Sequence, residues 1–227
     1  MLNEHPEVSS NGEILNPDDV TWQGENRGEM TDEDLLRLSF EAFPLRERKV
    51  RVSQGRERVR RVGVKIVQLR PYREERWSFV RAAMELRGTR AIVLRRANML
   101  QAVRSLEQAK LTNQWVRYYN DEPVVAPVVR IDPAFARMWF EESERFYEGV
   151  VDVCARRPIL ELTYEDMVAD VDETLKEVWE FLDVRTHRGP RDLVLKQELR
   201  SLRESITNYD ELRAEFVNTP YSAYFPD

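Results

Sequence analysis

Three short apolar runs, each set between segments of helical spacing, constrain this chain more than any other feature. They are Val62-Gly63-Val64-Lys65-Ile66-Val67, Ala91-Ile92-Val93-Leu94 and Ile159-Leu160-Glu161-Leu162. Each is β-branched or aliphatic and bounded by charge or proline, which is the pattern of a buried strand. Trp77, Val80 and Met84 recur on one helical face between the first two runs, and Asn98 to about Trp115 predicts a second helix after the next. Asp132-Pro133 places a capping residue before a proline suited to the first helical turn, opening a third helix through Phe135, Met138, Trp139, Phe146 and Val150. Shorter helices are predicted from Thr31 to about Phe43, from Thr174 to Leu182 and from Tyr209 to Val217. Strands alternating with helices of this length imply parallel βαβ units, so the expected class is α/β, a parallel sheet flanked by helices.

The chain is read as a single domain, 1–227, with a loop-rich part over 1–60, an α/β core over 61–183 and a C-terminal segment over 184–227. Turn signals at Asn11-Gly12, Asn16-Pro17 and Gly24 to Gly28 mark the first part as poorly patterned. No apolar run approaches the ~18 residues that span a bilayer. With Cys154 as the single cysteine no internal disulfide can form, and a reducing, cytoplasmic setting is expected. Cys154 falls at helical spacing among Val150, Val151 and Val153, which suits a buried thiol better than a nucleophile. Two histidines make a zinc site a poor expectation, and no metal is expected. The net charge of −6 argues against a general nucleic-acid binder. The basic run from Arg46 to Arg61 alternates with Glu47 and Glu57 and reads as a solvated surface, or else as a rim that attracts an anionic cosubstrate.

In a parallel α/β sheet, ligands bind outside the carboxyl ends of the strands. The segment after the second run is Arg95-Arg96-Ala97-Asn98-Met99-Leu100-Gln101-Ala102-Val103-Arg104-Ser105. Arg96 closes the strand, Asn98 can cap the next helix, and Ser105 returns two turns later to the face of the cap. A planar guanidinium and a hydroxyl so placed can grip a phosphate that also faces helix-terminal N–H groups. On spacing alone, an arginine after a strand is usually a solvated charge and a helical serine is usually bland.

The stretch R-x-N-x-L-x-x-x-x-S formed by Arg96, Asn98, Leu100 and Ser105 resembles the 3′-phosphate motif of phosphoadenosine-phosphosulfate-dependent sulfotransferases, in particular bacterial members of the nodulation type that act on carbohydrates. Further segments resemble that family in its own order. They are His5-Pro6-Glu7-Val8 with Gly12-Glu13, the strand Val62-Gly63-Val64-Lys65, Leu162-Thr163-Tyr164-Glu165-Asp166-Met167 with Phe181-Leu182, and Ile206-Thr207-Asn208-Tyr209 followed by Thr219-Pro220-Tyr221. The resemblance implies a P-loop NTPase-like fold, 3′-phosphoadenosine 5′-phosphosulfate as cosubstrate and a hydroxyl acceptor, with carbohydrate expected. It implies that Arg96 and Ser105 hold the 3′-phosphate, and the basic stretch Lys196 to Arg203, with Lys196 and Arg200, is read as closing over the nucleotide. Lys65 would supply positive charge at the transferred group, and Glu13 would receive the acceptor proton.

Members of this family open with a strand and a Ser/Gly-rich turn that cradles the 5′-phosphosulfate. No such segment is present, and Met1 to Pro6 resembles the end of the helix that should follow it. The expectation is therefore a chain without the first strand and phosphate-binding loop. Either its reading frame starts upstream of Met1, or it is a fragment or an inactive relative that binds without transferring. A P-loop kinase is a further alternative, and it would require a Gly-Lys-Ser/Thr signature that is absent. His5 is read as structural or as a substrate contact, and Tyr164-Glu165-Asp166 as ordering its loop. The aromatic set Trp139, Phe140, Phe146 and Tyr147 is read as core or as an acceptor wall.

Overall fold

The computed structural model describes residues 2, 5–13, 21–22, 25–26, 30–42, 59–66, 77–115, 125–188 and 200–226. Phe43, Val67, Asn16-Pro17, Gly24, Gly28, Lys196 and most of the basic run 46–61 lie outside them. The architecture is α/β, with small sheets flanked by helices. Its elements are β1 (Val8–Glu13), β2 (Thr21–Trp22), β3 (Glu25–Asn26), α1 (Asp32–Leu36, continued by a π-helical turn Arg37–Ala42), β4 (Arg61–Lys65), α2 (Trp77–Glu85), β5 (Ala91–Arg95), α3 (Met99–Thr112), α4 (Pro133–Cys154), β6 (Ile159–Thr163), α5 (Tyr164–Ala169), α6 (Val171–Leu182), α7 (Leu202–Ser205), α8 (Tyr209–Phe216) and a closing 3-10 turn (Pro220–Tyr224). Among the described residues the strands pair two by two: β1 with β4, β2 with β3, and β5 with β6. The chain divides into two compact units, one of Met1–Leu94, Phe146–Leu162 and Asp166–Pro190, the other of Arg95–Arg145, Thr163–Glu165 and Arg191–Asp227.

The three expected strands are present as β4, β5 and β6, and β1, β2 and β3 are added. Asn11-Gly12, read from sequence as a turn, lies inside β1, which pairs with β4 in parallel. Ser10 partners Gly63 and Glu13 partners Lys65, so β1 has one more residue than β4 between these two pairs. A bulge of this kind absorbs one extra residue without ending the ladder, and Asn-Gly is permissive enough to form it. Val8 and Ser9 are buried in β1, and Thr31 caps α1 through a reciprocal capping box with Asp34.

Leu35, Phe79 and Val80 form one core of this unit, with Val64, Ile66, Trp77 and Val153 against them. Gly149 of α4 is required there, because a Cβ at that position would come within 2.8 Å of the Trp77 ring. Val8, Val178 and Trp179 form a second core with Ile92, Leu160 and Leu162, so the apolar runs are buried as their composition requires. Helix α6 starts earlier than its apolar spacing suggests, because Asp170 accepts from Glu173 N–H and caps it one turn ahead. It ends at Asp183, whose φ of 53° is the left-handed conformation common at helix ends. Arg61 Nε donates to the Leu182 carbonyl at 2.6 Å, and Arg61 and Arg60 both pair with Asp183.

Residues 5–7 are tied to residue 185 in the same unit. His5 is fully buried; its Nε2–H donates to the Arg185 carbonyl at 2.7 Å and its Nδ1 accepts from Glu7 N–H at 3.0 Å. Its ring packs on Trp179 with centroids 4.5 Å apart, so His5 is structural and not a substrate contact. The Glu7 carboxylate accepts from Arg185 N–H and Nε.

The second unit is built around Phe140, which meets Phe216, Tyr221 and Tyr224 at centroid distances of 5.0 to 5.4 Å. Leu100, Val103, Ile131, Ile206 and Leu212 complete this core. The core reading of Phe140 holds, as it does for Phe146, which is buried in the first unit. A parallel bridge joins Val129 to Ile206. Asn208 extends it with its side chain: its Oδ1 accepts from Ile131 N–H at 3.1 Å and its Nδ2 donates to Ile131 C=O at 2.8 Å.

Candidate functional site

Helix α3 starts where the sequence places it. Asn98 Oδ1 accepts from Leu100 N–H at 3.0 Å and from Gln101 N–H at 3.3 Å, while Asn98 Nδ2 donates to the Tyr224 carbonyl. Arg96 is the first residue beyond β5 and is half-buried. Its guanidinium Cζ lies 4.0 Å from the centroid of the Tyr164 ring, a contact distance that leaves no space between them. Tyr164 and Glu165 are the first residues beyond β6. The Glu165 carboxylate accepts from Ala97 N–H at 2.8 Å and from Asn98 N–H at 3.4 Å. Four backbone donors at the start of α3 are thus satisfied by the chain's own side chains. The expectation that helix-terminal amides face a phosphate thus meets four that are already engaged within the chain.

Ser105 lies on α3, two turns past the cap and half-buried. The residue before it, Arg104, is 4% exposed, and its Nη1 donates to the Arg200 carbonyl at 3.3 Å and to Ser205 Oγ at 3.2 Å. Arg200 is therefore brought to the helix that carries Ser105. The Arg200 side chain itself donates from Nη2 to the Ala126 carbonyl at 2.5 Å. Its neighbour in the expected nucleotide clamp, Lys196, lies outside the described residues.

In the first unit the backbones of Glu13 and Lys65 are brought together as register partners at the carboxyl ends of β1 and β4. Adjacent strands run about 4.8 Å apart, so two ionisable residues start from neighbouring positions on one sheet edge. Lys65 is exposed at that edge.

Three residues at this site escaped the sequence reading in whole or part. Tyr164 and Glu165 were read as ordering their own loop, whereas they seat Arg96 and the backbone after it. Arg104 was passed over as a helical charge, although it shares the four-residue stripe of Leu100 and Gln108, both buried. That stripe was the available signal. A polar cavity of about 310 Å³ lies elsewhere in the second unit, lined by Arg130, Arg203, Thr207, Asn208, Asp210 and Glu211 among others, and no expected site residue lines it. Among the described residues no three His, Cys, Asp or Glu side chains are grouped to hold a metal ion, and no helix is long and apolar enough to cross a membrane.

Arg96 lies at a strand end over the Tyr164 ring, and a guanidinium can bind an anion bidentately through its N–H groups.

The chain is 31% identical over 226 residues to Nodulation protein H of Rhizobium meliloti (strain 1021), covering 99% of this chain and 87% of that protein. It is 33% identical over 228 residues to Nodulation protein H of Rhizobium tropici, covering 99% and 86%. No protein-family model matches the chain, and no solved structure matches it.

Proposed function

Because the chain belongs to the nodulation protein H family, we propose that it is a sulfotransferase, moving a sulfonate group from 3′-phosphoadenosine 5′-phosphosulfate to a hydroxyl of a carbohydrate acceptor. The observation that carries this reading is the seating of Arg96 at the end of β5, with Tyr164 against it and Asn98 capping α3. The cosubstrate supplies the activated sulfonate. Arg96 and Ser105 hold its 3′-phosphate, and Arg200, with Lys196, closes over the nucleotide. Lys65 supplies positive charge at the transferred sulfonate group, and Glu13 takes the proton of the attacking hydroxyl. Their adjacency across β1 and β4 supports this division of labour. Positioning and fixed positive charge supply most of the rate in such transfers, as in phosphoryl transfer, and general-base help adds about 10²–10⁴-fold. On this reading residues 1–227 make a single sulfotransferase domain.

The test is transfer of radiolabelled sulfonate to a panel of oligosaccharides, run beside calorimetry with adenosine 3′,5′-bisphosphate. Arg96→Ala and Ser105→Ala should each weaken binding roughly ten- to hundredfold, the effect of losing a charge-assisted phosphate contact. Glu13→Gln and Lys65→Ala should lower kcat with nucleotide affinity nearly unchanged. A folded chain that neither binds the bisphosphate nor labels any acceptor would defeat the proposal.

A further inference from the structure

An arginine at a strand end normally samples many rotamers, and a ligand must select one of them at an entropic cost. Arg96 is held differently. The Tyr164 ring lies in contact with its guanidinium at 4.0 Å. Glu165 fixes the backbone immediately after it through Ala97 N–H and Asn98 N–H. Asn98 fixes the next turn through Leu100 N–H and Gln101 N–H. Two consequences follow. The helix start offers an anion little, because its amides are already engaged by a carboxylate and a carboxamide. An anion that approached Ala97 and Asn98 would also meet the negative charge of Glu165, and would be turned toward the N–H edge of Arg96.

We infer that Tyr164 and Glu165 are positioning residues that hold Arg96 for the 3′-phosphate of the nucleotide, the group that distinguishes a 3′-phosphorylated nucleotide from one without it. This rests on the nucleotide reading above and extends it to two residues for which the sequence suggested only loop ordering. A guanidinium held against a ring samples fewer orientations of its in-plane donors, and a phosphate can accept two of them in parallel. Without the ring, the same charge would attract any anion but would hold none in a set geometry.

The experiment is calorimetric titration of the whole chain with adenosine 3′,5′-bisphosphate and with adenosine 5′-monophosphate, reading the ratio of the two affinities. Tyr164→Phe keeps the aromatic face and should keep the ratio within about twofold, since a cation–π contact uses the ring and not the hydroxyl. Tyr164→Leu should weaken the bisphosphate by roughly two- to thirtyfold, the range of such contacts, and leave the monophosphate nearly unchanged. Glu165→Gln should move the ratio in the same direction. In the Arg96→Ala background, Tyr164→Leu should add nothing, because the group it positions is gone. If Arg96→Ala lowers the ratio and Tyr164→Leu does not, the positioning role is wrong and the nucleotide site stands. If Tyr164→Leu weakens both nucleotides alike, Tyr164 serves the fold and the inference fails. If Arg96→Ala leaves the ratio unchanged, or the folded wild-type chain binds neither nucleotide, the reading beneath it fails as well.

Discussion

Asn208→Ala should be among the most damaging single substitutions in the second unit, although it removes only a carboxamide. Asn208 is 5% exposed, and its side chain forms both halves of a bridge-like pair with the backbone of Ile131, at 3.1 and 2.8 Å. Ile131 is itself 1% exposed, so its N–H and C=O have little access to water. Leaving a buried backbone group without its partner costs about 1–3 kcal/mol, so the pair sets a range of roughly 2–6 kcal/mol. The polar cavity beside Thr207 and Asn208 can admit water to the truncated site, which places the expected loss near the low end, about 2–3 kcal/mol. The same pair extends the Val129–Ile206 bridge, where Val129 N–H donates to Ser205 C=O and Thr207 N–H donates to Val129 C=O. The assay is urea unfolding followed by tryptophan fluorescence and far-UV dichroism. Asn208→Ala should lower the midpoint without changing the slope. Asn208→Asp is the sharper test, because its carboxylate still accepts from Ile131 N–H but repels Ile131 C=O. It should be at least as unstable as the alanine variant at neutral pH and should recover in acid, where the protonated carboxyl can donate. A loss below about 0.5 kcal/mol for Asn208→Ala would refute the reasoning, since that is the range of ordinary surface substitutions.

Three further outcomes are expected from ionisable groups. Glu7 is held below its ordinary value of 4.5, first by the Arg185 backbone N–H and then by the Arg185 and Arg60 charges, against the opposing effect of burial. Its contribution to stability is therefore full above that value and is lost as pH falls through the lower folded value; the stability gap between wild type and Glu7→Gln should close in acid, by denaturant midpoints at a series of pH values. Tyr221 is pushed up to about 12 by burial, by its hydrogen bond to Glu144 and by the nearby carboxylates. The native state favours its neutral form, so this contribution is complete below pH 10 and is lost as pH rises through about 12. Absorbance titration should show Tyr221→Phe losing a late phenolate step, and a step lost near 10 would contradict this. Cys154 is buried and its thiol is raised by desolvation, so it should react with a disulfide reagent at least tenfold more slowly than a free thiol until urea exposes it.

What the sequence reveals of this chain follows the strength of local signals. Ala91–Arg95 and Ile159–Thr163 are strands within a residue or so of their apolar runs, because each run is bounded by charge or proline. Asn98 caps α3 and Pro133 opens α4 because their chemistry satisfies or omits donors that every helix start exposes. β1 was illegible for the opposite reason. Val-Ser-Ser-Asn-Gly-Glu has one large apolar residue, and Asn-Gly is among the strongest turn signals in any sequence. Its strand character comes from pairing with β4, a partner some fifty positions away, and a bulge lets the turn-prone pair ride in the ladder. Arg104 shows the same limit: nothing local says that an arginine will be buried, and only its place on the stripe of Leu100 and Gln108 does so.

The residues expected to act are those whose neighbours in sequence are uninformative and whose neighbours in space are specific. Arg96 has an ordinary local setting, a strand end followed by a small residue and a cap. Its selectivity as proposed here comes from Tyr164 and Glu165, sixty-eight and sixty-nine positions further on, which reach it because β6 ends beside the same loop in the same unit. A strand end in an α/β protein exposes backbone donors and frees a side chain at once, so the following residues must either bind a ligand or be satisfied internally. Here Glu165 and Asn98 satisfy the backbone internally, and the guanidinium of Arg96 lies over the Tyr164 ring. The division is physically sensible for a nucleotide whose extra phosphate must be told from none. Backbone amides grip any anion, whereas one oriented guanidinium rewards a phosphate only where its two oxygens meet two donors.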